Sequence, residues 1–294
     1  MPDRNPEPER KPESGASTQD YERRALEQVD HLKNPNPSKL RRAVDRAQAP
    51  VTGAASKALD TRVGAIPAKA VEGLVSKLNE SASWSVRAES VYREFRSAGF
   101  DVHGADDIHR LELREVDHVV GQVAVKNTSV AFATGAGAGT LGLPGLAIDI
   151  PGLVGAALRA ITEYATYYGF DTSNDDEKAF ALMLLAASAA TRTEDKKSAM
   201  RELTKVSREL SGGEPRPGSR HLLDQQLVTK VALRIAGHLS RTKTIQILPV
   251  AGSPIAAVAD AWFVGRVARM AHPIYRERFL IAKHGPGVAV PVRG

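Results

Sequence analysis

Apolar residues recur along this chain at intervals of three and four, the spacing that lines one face of an α-helix. Tyr21, Ala25, Val29 and Leu32 open the series, and Asn34-Pro35-Asn36-Pro37 ends that first helix. A second helical stretch runs from about Ser38 to Asp60, interrupted near Pro50. Ile66-Pro67 opens a long helix whose apolar face is Val71, Leu74, Val75, Leu78, Val86 and Tyr92. Gly99 stands where a helix-ending glycine belongs. Asp106-Asp107 supplies the cap of the next helix, and Leu111, Val116, Val119, Val120 and Val123 continue its stripe. Residues 175–192 and 194–210 read as two amphipathic helices, and Leu223, Leu227, Val231 and Ile235 mark another. A last helix is predicted from about Pro254 to Lys283, kinked at His272-Pro273. Strand-type alternation persists nowhere, so the expected fold class is all-α.

Two segments depart from this pattern. From Asn127 to Ile148 the chain carries no charge for 22 residues, long enough in principle to cross a bilayer. The run is built of Ala and Gly more than Leu and Ile, and breaks are expected at Pro144 and Pro151, before a short helix that ends at Tyr168 with Gly169 as its cap. The second uncharged run, Thr244 to Ala259, contains Pro249 and Pro254. A faint echo links LGLPGLAID (141–149) to ILPVAGSPIAAVAD (247–260).

Composition bounds the rest. The chain has 294 residues, no cysteine and a formal charge of +6, so disulfides and thiolate metal sites are excluded. The charge is uneven. Arg220 to Gly294 holds eleven Lys/Arg against three Asp/Glu, so an anionic partner is expected to meet the C-terminal third. The first residues, MPDRNPEPERKPESGASTQD, have no apolar core of a signal peptide, which makes the cytoplasm the expected compartment. The expected organisation is a disordered tail (1–18), N-terminal amphipathic helices (19–60), a helical domain with the two broken apolar segments (61–284) and an irregular C-terminal tail (285–294).

Chemistry-bearing motifs are few. Gly137, Gly139 and Gly142 match a dinucleotide fingerprint, but prolines interrupt the helix it needs and no strand precedes it. Gly135 and Gly139, four apart, permit close helix approach instead. Asp149 and Asp260 each sit in apolar surroundings, where a carboxylate must be capped, paired or neutralised. Capping or pairing is the favoured reading; a hydrolase using these aspartates is the alternative. His103, His109 and His118 lack metal-ligand spacing, so no metal or cofactor is expected. Gly252-Ser253-Pro254 is not a nucleophile elbow. Arg266, Arg269, Arg276, Arg278 and Lys283 line the last helix, either as a solvated face or as headgroup contacts beside Trp262 and Phe263. Nucleic acid is not expected, because aromatics are scarce and no such motif is present.

ADDIHRLELREVDHV, the run from ATGAGAG to TYYGFD, and ILPVAGSPIAAVADAWFVGRVARMAHPIYRERFL resemble the EcsC family of bacterial proteins over roughly residues 60–283. Ser253-Pro254 and Pro273 depart from that pattern. The resemblance implies a helical protein with no assigned catalytic residue, a namesake encoded beside an ABC transporter, and distant similarity to the senescence domain of lipid-associated proteins. The functional expectation is therefore a membrane- or lipid-associated accessory protein, peripheral at the inner face of the cell membrane. Its contact residues are expected to be Gly135, Gly137, Gly139, Gly142, Pro144, Asp149, Pro151, Asp260, Trp262, Phe263, Arg266 and Arg269. Service to an ABC-type exporter is the alternative partner reading.

Overall fold

A computed structural model describes residues 17–35, 76, 86–121, 142–190, 193–211, 227–229, 231–232 and 254–293, with backbone alone for 142–151, 193 and 254–262. All regular structure among them is helical. The predicted all-α class is therefore what the chain adopts.

Helix α1 (Thr18–Lys33) starts at Ser17, whose hydroxyl accepts the Asp20 N–H. Helix α2 (Ala88–Ser97) ends at Gly99 as predicted, with φ +92°. The Phe100 N–H reaches the Phe95 carbonyl and the Gly99 N–H reaches that of Arg96, the bond pair of a Schellman cap. The stripe expected to run on from Asp106 is divided between two helices, α3 (Ala105–Arg110) and α4 (113–121). Leu111 adopts extended geometry between them, with ψ 161°. Each start has a carboxylate turned back on it. Asp107 Oδ2 accepts the N–H groups of His103 and Gly104, and Glu115 Oε2 accepts that of Glu112.

Helix α5 is one element from Gly142 to Tyr167 and contains both Pro144 and Pro151, where breaks were expected. Pro144 falls in the first turn, where its missing N–H costs no intrahelical bond. Pro151 lies farther in and removes one donor, a loss this helix sustains. Residues 127–141 and 244–253, the remainder of the two uncharged runs, lie outside the described residues. Gly169 (φ +81°) ends α5 with the same bond pair as Gly99, and Asn174 caps α6 (Asp175–Ala189) through the Asp176 N–H.

Helix α6 was expected to be amphipathic and is not. Ala179, Phe180, Ala181 and Leu182 are consecutive and buried, as are Leu184 to Ala189. It has no polar face because α5, α7 (Thr193–Ser211) and α8 (Pro254–His284) pack around it. Helix α8 is the other central element. It carries Pro273 within it, and its residues Ile274 to Ile281 are buried without interruption.

Contacts fix the directions. Glu177 meets Arg278 and Ser188 meets Met270, so α6 runs antiparallel to α8. Tyr164 stacks near His272 and Tyr168 near Phe279, so α5 and α8 are parallel. Helix α1 lies across the C-terminal half of α8. A short 3-10 turn (Pro286–Val288) follows α8, and the chain then returns along the end of α1.

Candidate functional site

Four consecutive residues of α8 organise the described part of the molecule, because a helix directs them to different neighbours. Tyr275 packs on Phe170 and Phe180. Arg278, with its side chain 0% exposed, forms a two-pronged ion pair with Glu177 and lies 4.0 Å from the Phe170 ring centre and 4.1 Å from that of Phe180. Burial works against the Arg278 charge, yet Glu177 outweighs it and holds the guanidinium above its ordinary value. Glu277 takes a bond from Lys33 Nζ at 2.8 Å and another from the Val290 N–H. Burial pulls the Lys33 ammonium below its usual value, and Glu277 opposes it only in part.

Arg276 points a third way, and there the enclosure opens. Its Nη2 lies 2.8 Å from Asp117 Oδ2, and its Nη1 donates to Gln28 Oε1. Asp117, on α4, also accepts the hydroxyls of Tyr21 and Tyr168 and lies 3.8 Å from His272 Nε2. Burial pushes the Asp117 carboxyl up, but His272, Arg276, Tyr168 and Tyr21 together hold it below the usual carboxylate range. Burial and then the Asp117 charge push the Tyr168 and Tyr21 phenols upward, so both stay protonated as donors. This cluster floors a pocket of about 440 Å³ whose walls are α1, α4, α5 and α8. Arg24 and Gln28 face it from α1, Tyr164 from α5, and His272 from α8. Both oxygens of Asp117 are engaged, which leaves it poorly placed to take a proton from a substrate.

A second buried polar group lies on the other side of Tyr168. His109 is packed against Phe170 and Phe279, and its Nε2 has no partner among the described residues. Burial pulls its imidazole below the ordinary value.

The expected contact residues fall into three groups. Gly135, Gly137 and Gly139 lie outside the described residues. Gly142, Pro144, Asp149 and Pro151 are helical positions of α5, and Asp260 and Trp262 of α8. Phe263 is in the core at 2% exposure, turned inward and not toward a surface. Arg266 donates to the Ala190 carbonyl, and Arg269 is exposed. Of the other basic residues on α8, Arg276 and Arg278 are paired inward and Lys283 donates to the Leu111 carbonyl. Neither a solvated face nor a headgroup comb describes those three. Sequence reasoning missed Asp117, His272 and Tyr21 as a connected set, and the buried pair of Lys33 with Glu277. Asp117 was visible only as a charge inside the valine stripe of α4, and its partners lie 51 and more residues away.

Parallel α5 and α8, a buried α6, and one charged helix enclosed by all its neighbours define the class: an all-helical protein organised around its final helix. The chain belongs to the EcsC protein family, whose profile matches residues 19–280. It is also 25% identical over 179 residues to the uncharacterized protein YdbA of Bacillus subtilis (strain 168), covering 60% of this chain and 63% of that protein's length. No solved structure matches the chain. Among the described residues no helix is long and apolar enough to cross a membrane.

Proposed function

We propose that this protein is a membrane-surface accessory that meets lipid with one end of its helical body. The observation that carries this reading is the parallel course of α5 and α8. Tyr164 is level with His272. At about 1.5 Å per residue, the same register brings Asp149 within roughly 5 Å, along the axis, of the level of Asp260. The N-terminal halves of both helices thus point toward one end of the molecule, and each helix emerges from an uncharged run (127–148 and 244–259). The uncharged first turns of the two helices, residues 142–148 and 254–259, thus lie toward the same end, away from the charged hub around Tyr275–Arg278. Exposed Arg269 and the basic balance of the C-terminal third supply attraction to an anionic surface.

Full-length protein is expected to float with phosphatidylglycerol-containing vesicles, and less so as salt rises. Trp262, two residues beyond the second run's closing Asp260, reports the contact. With Trp84 replaced by Phe, its emission should shift to the blue on vesicle addition. Protein that stays at the bottom of the gradient with every lipid mixture, and a Trp262 spectrum that does not move, would remove the reading.

A further inference from the structure

We propose that the pocket between α1, α4, α5 and α8 binds a phosphate ester. The argument rests on which hydrogen-bonding groups remain uncommitted. Asp117 is the carboxylate of the pocket, and its oxygens are occupied by Tyr21, Tyr168 and Arg276, with His272 beside them. Gln28 Oε1 is likewise taken, by Arg276. What remains in the pocket is almost entirely donors. Arg24 uses only Nε, on the Asp20 carbonyl, and its terminal nitrogens have no carboxylate partner among the described residues. The Gln28 amide nitrogen and the Tyr164 hydroxyl have no partner among the described residues either. His272 keeps its second ring nitrogen, and Arg276 keeps spare N–H groups on both Nη atoms.

Two guanidinium charges against one carboxylate leave the lining net positive even with His272 neutral. The matching ligand is rich in acceptors and negative. The donors come from three helices on different sides, which suits a tetrahedral group with several oxygens better than a flat carboxylate. A space of about 440 Å³ exceeds what a bare anion fills, so the phosphate carries an organic substituent, which the rings of Tyr21 and Tyr164 would flank. A soluble phosphate ester and a phospholipid headgroup share this chemistry. The inference stands apart from the lipid reading, since Trp262 reports the vesicle contact and Arg24 reports the pocket.

Isothermal titration of the full-length protein tests it with two probes: sn-glycerol 3-phosphate, and phosphatidylcholine vesicles containing phosphatidic acid. Arg24→Gln, on the exposed face of α1, is expected to keep the wild-type melting temperature and weaken binding about tenfold. Tyr164→Phe should weaken it about threefold. Binding of glycerol 3-phosphate with these losses establishes the pocket with a soluble ester as its ligand. Binding of the vesicles alone, with the same losses, establishes it with a headgroup. No binding of either probe, or binding that both variants leave unchanged, overturns the proposal.

Discussion

Arg278 carries a full charge at a position with no exposure to water, and its stability rests on one carboxylate and two rings. Taking away one member of such a pair strands the other in a medium that cannot solvate it, at a cost of about 3–5 kcal/mol. Glu177→Gln and Arg278→Met are each expected to lower the unfolding free energy in urea by that amount. The double change to Glu177→Leu and Arg278→Met should recover most of it, because two apolar side chains leave no charge unpaired. Additive losses in the double variant would show that the pair contributes through packing and not through charge. The sequence displayed Tyr275-Arg276-Glu277-Arg278 plainly and still misled about it. Helical periodicity places charged residues by assuming that one face meets water. Over the enclosed stretch Ile274 to Ile281 no such face exists, and only the partners Asp117, Lys33 and Glu177 reveal where the charges go. Those partners lie from 101 to 244 residues away in sequence, beyond any local pattern.

Helix ends were far more legible, since a cap is written in adjacent residues. Gly99 and Gly169 were both read as helix-ending glycines, and both have positive φ with the same pair of closing hydrogen bonds. Their surroundings nevertheless differ. A methyl group at Gly99 would meet nothing within 4 Å, whereas at Gly169 it would lie 2.9 Å from His109 Nε2 and 3.0 Å from the Ala105 carbonyl oxygen. Gly99→Ala therefore carries only the left-handed backbone penalty, about 1 kcal/mol. Gly169→Ala adds a collision between the end of α5 and α3, for a total of about 3 kcal/mol. Equal midpoint shifts for the two variants in denaturant would contradict that close approach. The elements read least well were those decided by tertiary packing. The valine stripe of α4 gave no sign of the extended Leu111 before it, and alanine-rich α6 looked amphipathic from its charged first turn although the body around it encloses every side.

At the scale of the molecule, α1 is held in place by the end of the chain. After Gly285 turns the backbone, residues 289–293 run past the last turn of α1. Lys33 Nζ donates to the Val290 carbonyl at 3.0 Å, Asn34 exchanges bonds with Pro291 and Arg293, and Arg293 pairs with Asp30. The same segment gives its Val290 N–H to Glu277, so it completes the solvation of the buried Lys33–Glu277 pair. Residues 285–293 hold only the 3-10 turn as regular structure, and their hydrogen bonds are specific. Because α1 supplies Tyr21, Arg24 and Gln28 to the pocket, the strap also governs how firmly that wall stands. Removing residues 285–294 is expected to leave α6 and the middle of α8 protected, since their burial does not depend on the tail. Amides of α1 should exchange with deuterium at least about tenfold faster, a local loss of roughly 1.4 kcal/mol. The buried ammonium adds a second expectation. The Lys33 value is depressed in the folded state, so the unfolded chain holds its proton to higher pH, and folding gains stability as pH rises through the window between the two values. Loss of the Val290 carbonyl leaves the charged form worse solvated and widens that window downward. Truncated protein should therefore gain more stability than the full chain does as pH rises toward the ordinary lysine value. Exchange in α1 that matches the full chain at every pH would show that α1 is held by α8 alone.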